Sequence, residues 1–523
     1  MGQEINEFSE VNVPSIESPS KGKTVEEKYA DATLRLIEEH GDNVNPLSPE
    51  QEKNVRRKLY LRLMVLLSTI NIMLFVSFLF HHLTVLEKTD LLPSNPDRQV
   101  HLRPGYLAFL WPGHYLMQRL PFSKFVAGVV FTWSVIIFLH CVATRYAGLI
   151  VLRLALGAAE GVVVPALEMT IGMFFNRAEQ SFLQPILWIT CQGAPIITGF
   201  VAYGLLWTSG PVLPWKLLHV VTGGITFVLS IWVWFDYPSN PAEARFLTLE
   251  EKVHVIKRVQ ASQQSSIEQK QFKQSQFIET MKDPVSWLFA LQAFTLMYCN
   301  NLTYGQKNLL VTSLGVTPLE STLVAVAGGG FGIINCIIAA FALRKYPGNL
   351  ALHCTLWCLP AIAGGIGMVT VPWDRTISLL ACMFLAAHTY GVAYIIALGW
   401  TNSSAAGYTK KLTRNVMFMV GYSAGNLVSP QIWVASAKPR FYGAWSSMIV
   451  ISWFGTPVIL WVIHFILARR NKVRKEKLNA TGGQEGYSYV EQLDESGQLV
   501  KVRVQIAMLD LTDLENESFI YPL

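Results

Sequence analysis

About a dozen apolar segments, split once by a polar stretch of 48 residues from Tyr237 to Pro284, constrain this chain more than any other feature. Hydrocarbon offers a bare backbone no hydrogen-bond partner, so each apolar segment must cross it as a helix. Roughly 20 apolar residues suffice for one crossing. The expected fold class is an all-α polytopic membrane protein of about twelve transmembrane helices in two six-helix halves. Many secondary transporters are two halves around a central loop, with the substrate bound between them near the bilayer midplane.

Composition agrees with a membrane chain. Of 523 residues, 51% are hydrophobic and 15% are charged, whereas a soluble protein carries about 25% charged residues. The net charge of +6 sits in loops and tails. It reads as a topology signal, so no nucleic-acid partner is expected. All seven cysteines lie in or beside predicted spans and read as small apolar residues. Cys354 and Cys358 form an i,i+4 pair, but nothing completes a metal site around them. His81, His82, His101 and His114 cluster near the first outer loop without a carboxylate at ligand spacing. No metal is expected. There is no P-loop, nucleophile elbow or metalloenzyme motif, which argues against an ATP-driven pump and against an enzyme. The N-terminal stretch lacks an apolar h-region, so no cleavable signal peptide is expected.

The chain divides into five parts. Residues 1–58 read as a disordered N-terminus, rich in Glu, Ser, Pro and Asn. Residues 59–236 form the first half, 237–284 a central loop, 285–468 the second half, and 469–523 a tail of disorder or short strands. Span 2, about Gly105–Arg119, is short, with Pro112 and His114 inside it. Span 7 is placed at Val285–Thr303 and span 11 at Asn415–Ala435. Arg56, Arg57, Lys58, Arg119, Lys124, Arg177, the central-loop lysines, Arg344, Lys345, Lys410, Lys411, Arg414 and the cluster from Arg469 to Lys477 fall on one side if there are twelve crossings. The opposite loops hold fewer cations, among them Arg145, Lys307, Arg375, Lys438 and Arg440. The positive-inside rule then places both termini in the cytoplasm.

Charges inside a bilayer are costly and mark candidate functional groups. Arg153 and Glu160 stand seven residues apart in span 4, on one helix face. Protonation of Glu160 would free Arg153 to hold an organic carboxylate, a workable coupling device. The plainer reading is a permanent ion pair that fixes packing. Gln192 and Tyr203 in span 5, Asn300, Asn301 and Tyr304 in span 7, and Asn426 and Gln431 in span 11 are amides and phenols. Lining a midplane cavity, they can hydrogen-bond carboxylate and ureido groups. The alternative for each is interhelical glue. Gly328–Gly330 with Gly332 reads as close packing of span 8.

Four stretches carry a resemblance. In span 4, Arg153, Gly157, Glu160 and Pro165 are followed by Phe174-Phe175-Asn176-Arg177-Ala178-Glu179-Gln180. Asn240–Lys252 follows span 6. Trp400, Gly407, Thr409, Lys410, Gly421-Tyr422, Gly425-Asn426 and Pro430-Gln431 mark spans 10 and 11. Leu509–Asn516 reads LDLTDLEN. In this order they resemble a fungal major facilitator superfamily transporter of the anion:cation symporter branch, most of all the allantoate permease subfamily. The resemblance implies the major facilitator fold, alternating access, and proton-coupled uptake of a small organic anion such as allantoate or ureidosuccinate. It implies Arg153 and Glu160 as the anion and proton residues, with protons as the coupling ion and no other cofactor. The expected partners are that anion and the lipid bilayer. The expected state is a monomer in the plasma membrane. Two departures stand out: Ser77 occupies the position of a common span 1 acid, and Ser404 that of a common Asn. The first favours an alternative, a non-transporting nutrient sensor or uncoupled carrier of the same fold.

Overall fold

The computed structural model describes residues 24–26, 33, 36–37, 40, 47–87, 103–143, 146–205, 213–263, 271–316, 318–480, 487–493, 499–505 and 509–523. Ser48 opens the first helix with a capping box. Its hydroxyl accepts from the Gln51 backbone, and the Gln51 side chain accepts from the Ser48 backbone; together they satisfy two otherwise orphaned donors. Helix α1 (Pro49–Lys58) runs through a π-helical turn, Leu59–Met64, into α2 (Val65–Glu87). The helix therefore begins ahead of the boundary expected at residue 58. The first half continues with α3 (Arg103–Arg119), α4 (Phe122–His140), α5 (Tyr146–Phe174), α6 (Arg177–Leu205) and α7 (Pro214–Asp236). The central loop carries α8 (Leu249–Gln263) and α9 (Gln274–Lys282).

The second half starts at Asp283, which caps α10 (Pro284–Met297) by accepting from the Val285 backbone. Span 7 does not end at Thr303 as the sequence reading has it. After a turn at 298–300 it resumes as a π-helical segment, Leu302–Gln306, and as α11 (Lys307–Ser313). Lys307 is thereby moved from an outer loop into the body of the protein. Next come α12 (Pro318–Lys345), α13 (Leu350–Thr370), α14 (Thr376–His388) and α15 (Tyr390–Ser403), the last two being one rod bent at Thr389. Then α16 (Tyr408–Val428), α17 (Tyr442–Ser447) and α18 (Gly455–Ala480) complete the half. Helix α16 starts at Tyr408, seven residues before the expected Asn415, and ends at Val428 rather than Ala435.

Two separate apolar cores hold the halves. One gathers α1 to α8, and the other gathers α10 to α18. Eight helices among the described residues are long and apolar enough to cross a membrane. The four remaining rods of the expected twelve are α3, α6, the broken α10–α11 and α16. Their weaker apolar signal has a common cause. Helix α6 packs along α12 and α3 along α16, across the seam between the halves, so these rods carry polar groups that face protein rather than lipid.

A three-stranded sheet stands beside the helices: β1 (Thr24–Glu26), β2 (Tyr487–Leu493) and β3 (Leu499–Gln505), in the order β1-β2-β3. Strand β1 pairs parallel to β2, with Val25 opposite Val490, and β2 pairs antiparallel to β3. Helix α1, the central loop and the segment Leu509–Leu523 gather at one end of the bundle. Lys58 pairs there with Glu251 at 2.7 Å and Arg258 with Glu179 at 2.9 Å.

Candidate functional site at the seam between the halves

Three elements of the second half face α6 midway along the bundle: the glycine run of α12, the bend between α14 and α15, and the start of α11. The bend has a local origin. Thr389 donates its hydroxyl to the Leu385 carbonyl at 2.8 Å, a back-bond that bends helices. It leaves His388 and Gly391 turned to the seam. A Cβ at Gly391 would sit 3.1 Å from Trp188 Nε1 and 3.5 Å from Gln192 Nε2. One at Gly332 would sit 2.6 Å from Gln192 Oε1, and one at Gly329 would be 2.7 Å from the Gln192 carbonyl. Only glycine lets α12 approach α6 this closely, so the packing role expected for that run is what the structure contains.

Gly328 opens the centre of the site. A Cβ there would lie 2.5 Å from His388 Nε2 and 2.9 Å from Lys307 Nζ. Lys307 is 6% exposed, with its ammonium 6.0 Å from the centre of the Phe384 ring. None of the ion pairs among the described residues includes it. His388 Nδ1 approaches Gln192 Oε1 at 3.5 Å, while His388 Nε2 and Trp188 Nε1 are buried without a hydrogen-bond partner among the described residues. A buried ammonium with no counter-ion costs several kcal/mol. It is a place for an anion. Aromatic rings close around it: Trp188 lies 5.4 Å from Phe75 and 5.5 Å from Tyr394, centre to centre.

The second-half amides meet below this point. Asn300 donates to Asn426 at 2.6 Å, and Tyr390 donates to Asn300 at 3.0 Å. Asn426 donates to the Tyr422 carbonyl at 3.0 Å, and Ser429 accepts from the Asn301 backbone at 2.7 Å. Asn300, Asn301 and Asn426 are therefore brought together, and their bonds hold the break in span 7 against α16. Gln431 lies past the end of α16 with its side chain exposed, away from the seam. The sequence reading had carried the helix on to Ala435. The side chains of Tyr203 and Tyr304 lie outside the described residues.

In the first half, Glu160 is buried midway along α5 and accepts from the Ser77 hydroxyl at 3.4 Å. Trp133 Nε1 donates to the same hydroxyl at 3.4 Å. Arg153 is half-buried two turns earlier on α5. Ser77 thus stands against Glu160, at a place where a second carboxylate would repel the first. Glu168, also buried, accepts from Gln184 at 2.5 Å, and its backbone carbonyl accepts from Asn402 at 3.3 Å.

The seam is shut at the end that carries the loop and the termini. Asn402 joins α15 to α5, Gln118 of α3 donates to Thr409 of α16 at 3.0 Å, and Lys411 donates to Gln263 at 3.2 Å. Three of the cations counted in the sequence as topology signal, Lys410, Lys411 and Arg414, are buried here. Lys410 pairs with Glu279 at 2.5 Å and Asp513 at 2.8 Å. Arg414 pairs with Asp283 at 2.8 Å, and Arg470 reaches the same carboxylate at 2.9 Å.

Lys307 and His388 were missed in the sequence. The signals were the apolar run Leu309–Val311 shortly after Lys307, and a lone histidine in the middle of span 10.

Known proteins share this architecture. Residues 104–430 match the family model described as the Major Facilitator Superfamily. An uncharacterized transporter of Schizosaccharomyces pombe is 48% identical over 512 residues, covering 96% of this chain and 89% of its own. A high affinity cysteine transporter of Saccharomyces cerevisiae is 42% identical over 514 residues, covering 95% of this chain and 96% of its own. The allantoate permease of Saccharomyces cerevisiae is 28% identical over 436 residues, covering 80% and 76%. Among solved structures, the proton:xylose symporter XylE superposes with a TM-score of 0.57 at 13% identity, covering 76% of this chain and 94% of its own. That likeness concerns the fold.

Proposed function

Because the chain belongs to the Major Facilitator Superfamily and is a secondary transporter, not an enzyme, we propose that it takes up a small carboxylate-bearing nutrient with protons. Lys307 is the group that holds the carboxylate. The observation that carries this reading is its burial at the seam with no counter-ion among the described residues. The substrate we propose first is an amino acid of cysteine's size. The cysteine transporter matches nearly the whole chain, whereas the allantoate permease subfamily suggested by the motifs matches at lower identity. Glu160 serves as the proton-carrying group, since it is a buried carboxylate beside a neutral hydroxyl. Arg153 remains a candidate second cation for the passage of the anion. The positive-inside rule supports a cytoplasmic place for the shut, loop-bearing end.

Uptake of labelled cysteine and allantoate by cells expressing the full chain tests the reading. Truncating a desolvated counter-ion costs about 2–5 kcal/mol, so Lys307→Ala should lower uptake of the true substrate more than tenfold. Lys307→Arg should retain part of it. Uptake of both compounds that ignores Lys307→Ala would sink the proposal. The replacement of an acid by Ser77 favours a second reading, a sensor or uncoupled carrier. Saturable binding of cysteine to the purified protein without flux into vesicles would select it.

A further inference from the structure

The terminal motif, LDLTDLEN with the residues after it, plays no part in the transport site, yet it is built into the protein. We propose that Leu509–Leu523 is a latch on the loop-bearing end, anchored in the second half, and that it must release the first half whenever that end opens.

The anchor is dense. Asp510 accepts from the Tyr408 backbone at 2.6 Å and pairs with Lys273 at 3.1 Å. Asp513, fully buried, pairs with Lys410 and accepts from Tyr521 at 2.7 Å. Tyr521 exchanges two backbone bonds with the Asn471 side chain, at 2.8 and 2.9 Å, and lies 4.6 Å from the Arg474 guanidinium. Trp400 donates to the Pro522 carbonyl at 2.9 Å. Apart from the Asp513–Tyr521 bond inside the segment, every one of these partners lies in the helices of the second half or in the central loop. The segment reaches the first half at Arg177, the first residue of α6. That guanidinium donates to the Ile520 carbonyl at 2.7 Å and lies 4.6 Å from the centre of the Phe519 ring. The same guanidinium donates to the Gln263 carbonyl at 3.0 Å, so α6, the central loop and the tail meet at one side chain.

The consequence is mechanical. In a two-half transporter the halves rock about the seam, and the faces at one end separate. A tail fixed to the second half cannot follow α6. The Arg177 contacts must therefore break on each opening, and their strength biases the protein toward the shut state seen here. The inference rests on the fold and not on the substrate.

A cysteine reporter at Ser403, which lines the seam beside Arg177 and Asn402, tests it in the full-length protein. The readout is the rate of labelling by a membrane-impermeant maleimide from the loop-bearing side, above the background of the native cysteines. Removing a charge-assisted contact should shift the opening equilibrium about tenfold, so Phe519→Ala and Arg177→Gln should each speed labelling by that order. Phe519→Ala removes a buried side chain; if it fails to fold, judged by its size-exclusion profile, Arg177→Gln carries the test alone. An unchanged labelling rate in the folded variants overturns the latch. No transported compound is needed, so the outcome is independent of whether cysteine is the substrate.

Discussion

Lys307 illustrates how one residue changes meaning with its surroundings. On the polar side of a span ending at Thr303 it is one more outer-loop cation. Inside a span that runs to Ser313 it is an ammonium stripped of water, stabilised in part by the Phe384 ring. Glu160 has the complementary place in the first half, with Ser77 as its partner. If Glu160 carries the coupled proton, Glu160→Gln should abolish the rise in uptake between about pH 7 and pH 5 while leaving exchange of bound substrate across the membrane intact. An uptake profile that still rises with acid in that variant would assign the proton elsewhere.

At the scale of elements, the seam depends on two helices that approach closely and two that break. Gly329 and Gly332 let α12 lie against α6, but they differ in what a methyl group would meet. At Gly329 it is the Gln192 backbone, which cannot yield; at Gly332 it is the end of the Gln192 side chain, which can swing. Gly329→Ala should cost about 1–3 kcal/mol of stability, as overpacking does. Gly332→Ala should cost less, yet weaken substrate binding by displacing Gln192. Thermal unfolding in detergent, with and without substrate, separates the two. Equal losses of stability with unchanged affinity would remove Gln192 from the site. The broken span 7 and the bent span 10 were hidden from hydropathy because both interruptions fall inside apolar runs. Each rests on a side-chain bond, Asn300 to Asn426 in one and Thr389 to Leu385 in the other.

For the whole molecule, buried charges help to hold the loop-bearing end. Burial by itself would raise the Asp513 carboxyl, but Lys410 and Arg414 beside it hold it below the usual carboxylate range. A carboxylate depressed in the folded state contributes stability above its unfolded pKa and loses it only as pH falls through the folded value. Asp513→Asn should therefore lower the unfolding temperature by the same amount at pH 6 and pH 8. Removing one partner of a buried pair costs about 3–5 kcal/mol, and Glu279, the second acid on Lys410, reduces that loss. A loss confined to one of these pH values would show that Asp513 is not the ionised partner.

The sequence by itself determined the class of the protein. Apolar length, the absence of backbone partners in lipid and the bias of basic residues suffice for an all-α membrane chain in two halves, and the spaced motifs pointed to its superfamily. Of the amides singled out in the sequence, Gln192 faces the second half, while Asn300, Asn301 and Asn426 bond within the second half. Tertiary structure decided which groups have partners. Asn300 and Asn426 satisfy each other, Gln431 points away, and the basic residues before span 11 are neutralised by Glu279, Asp283 and Asp513 from distant parts of the chain. Lys307, by contrast, has no ion-pair partner among the described residues, which is why we propose it as the anion's partner. Composition reports a charge, but whether that charge is spent on a neighbour or available to a ligand depends on contacts between residues far apart in the chain.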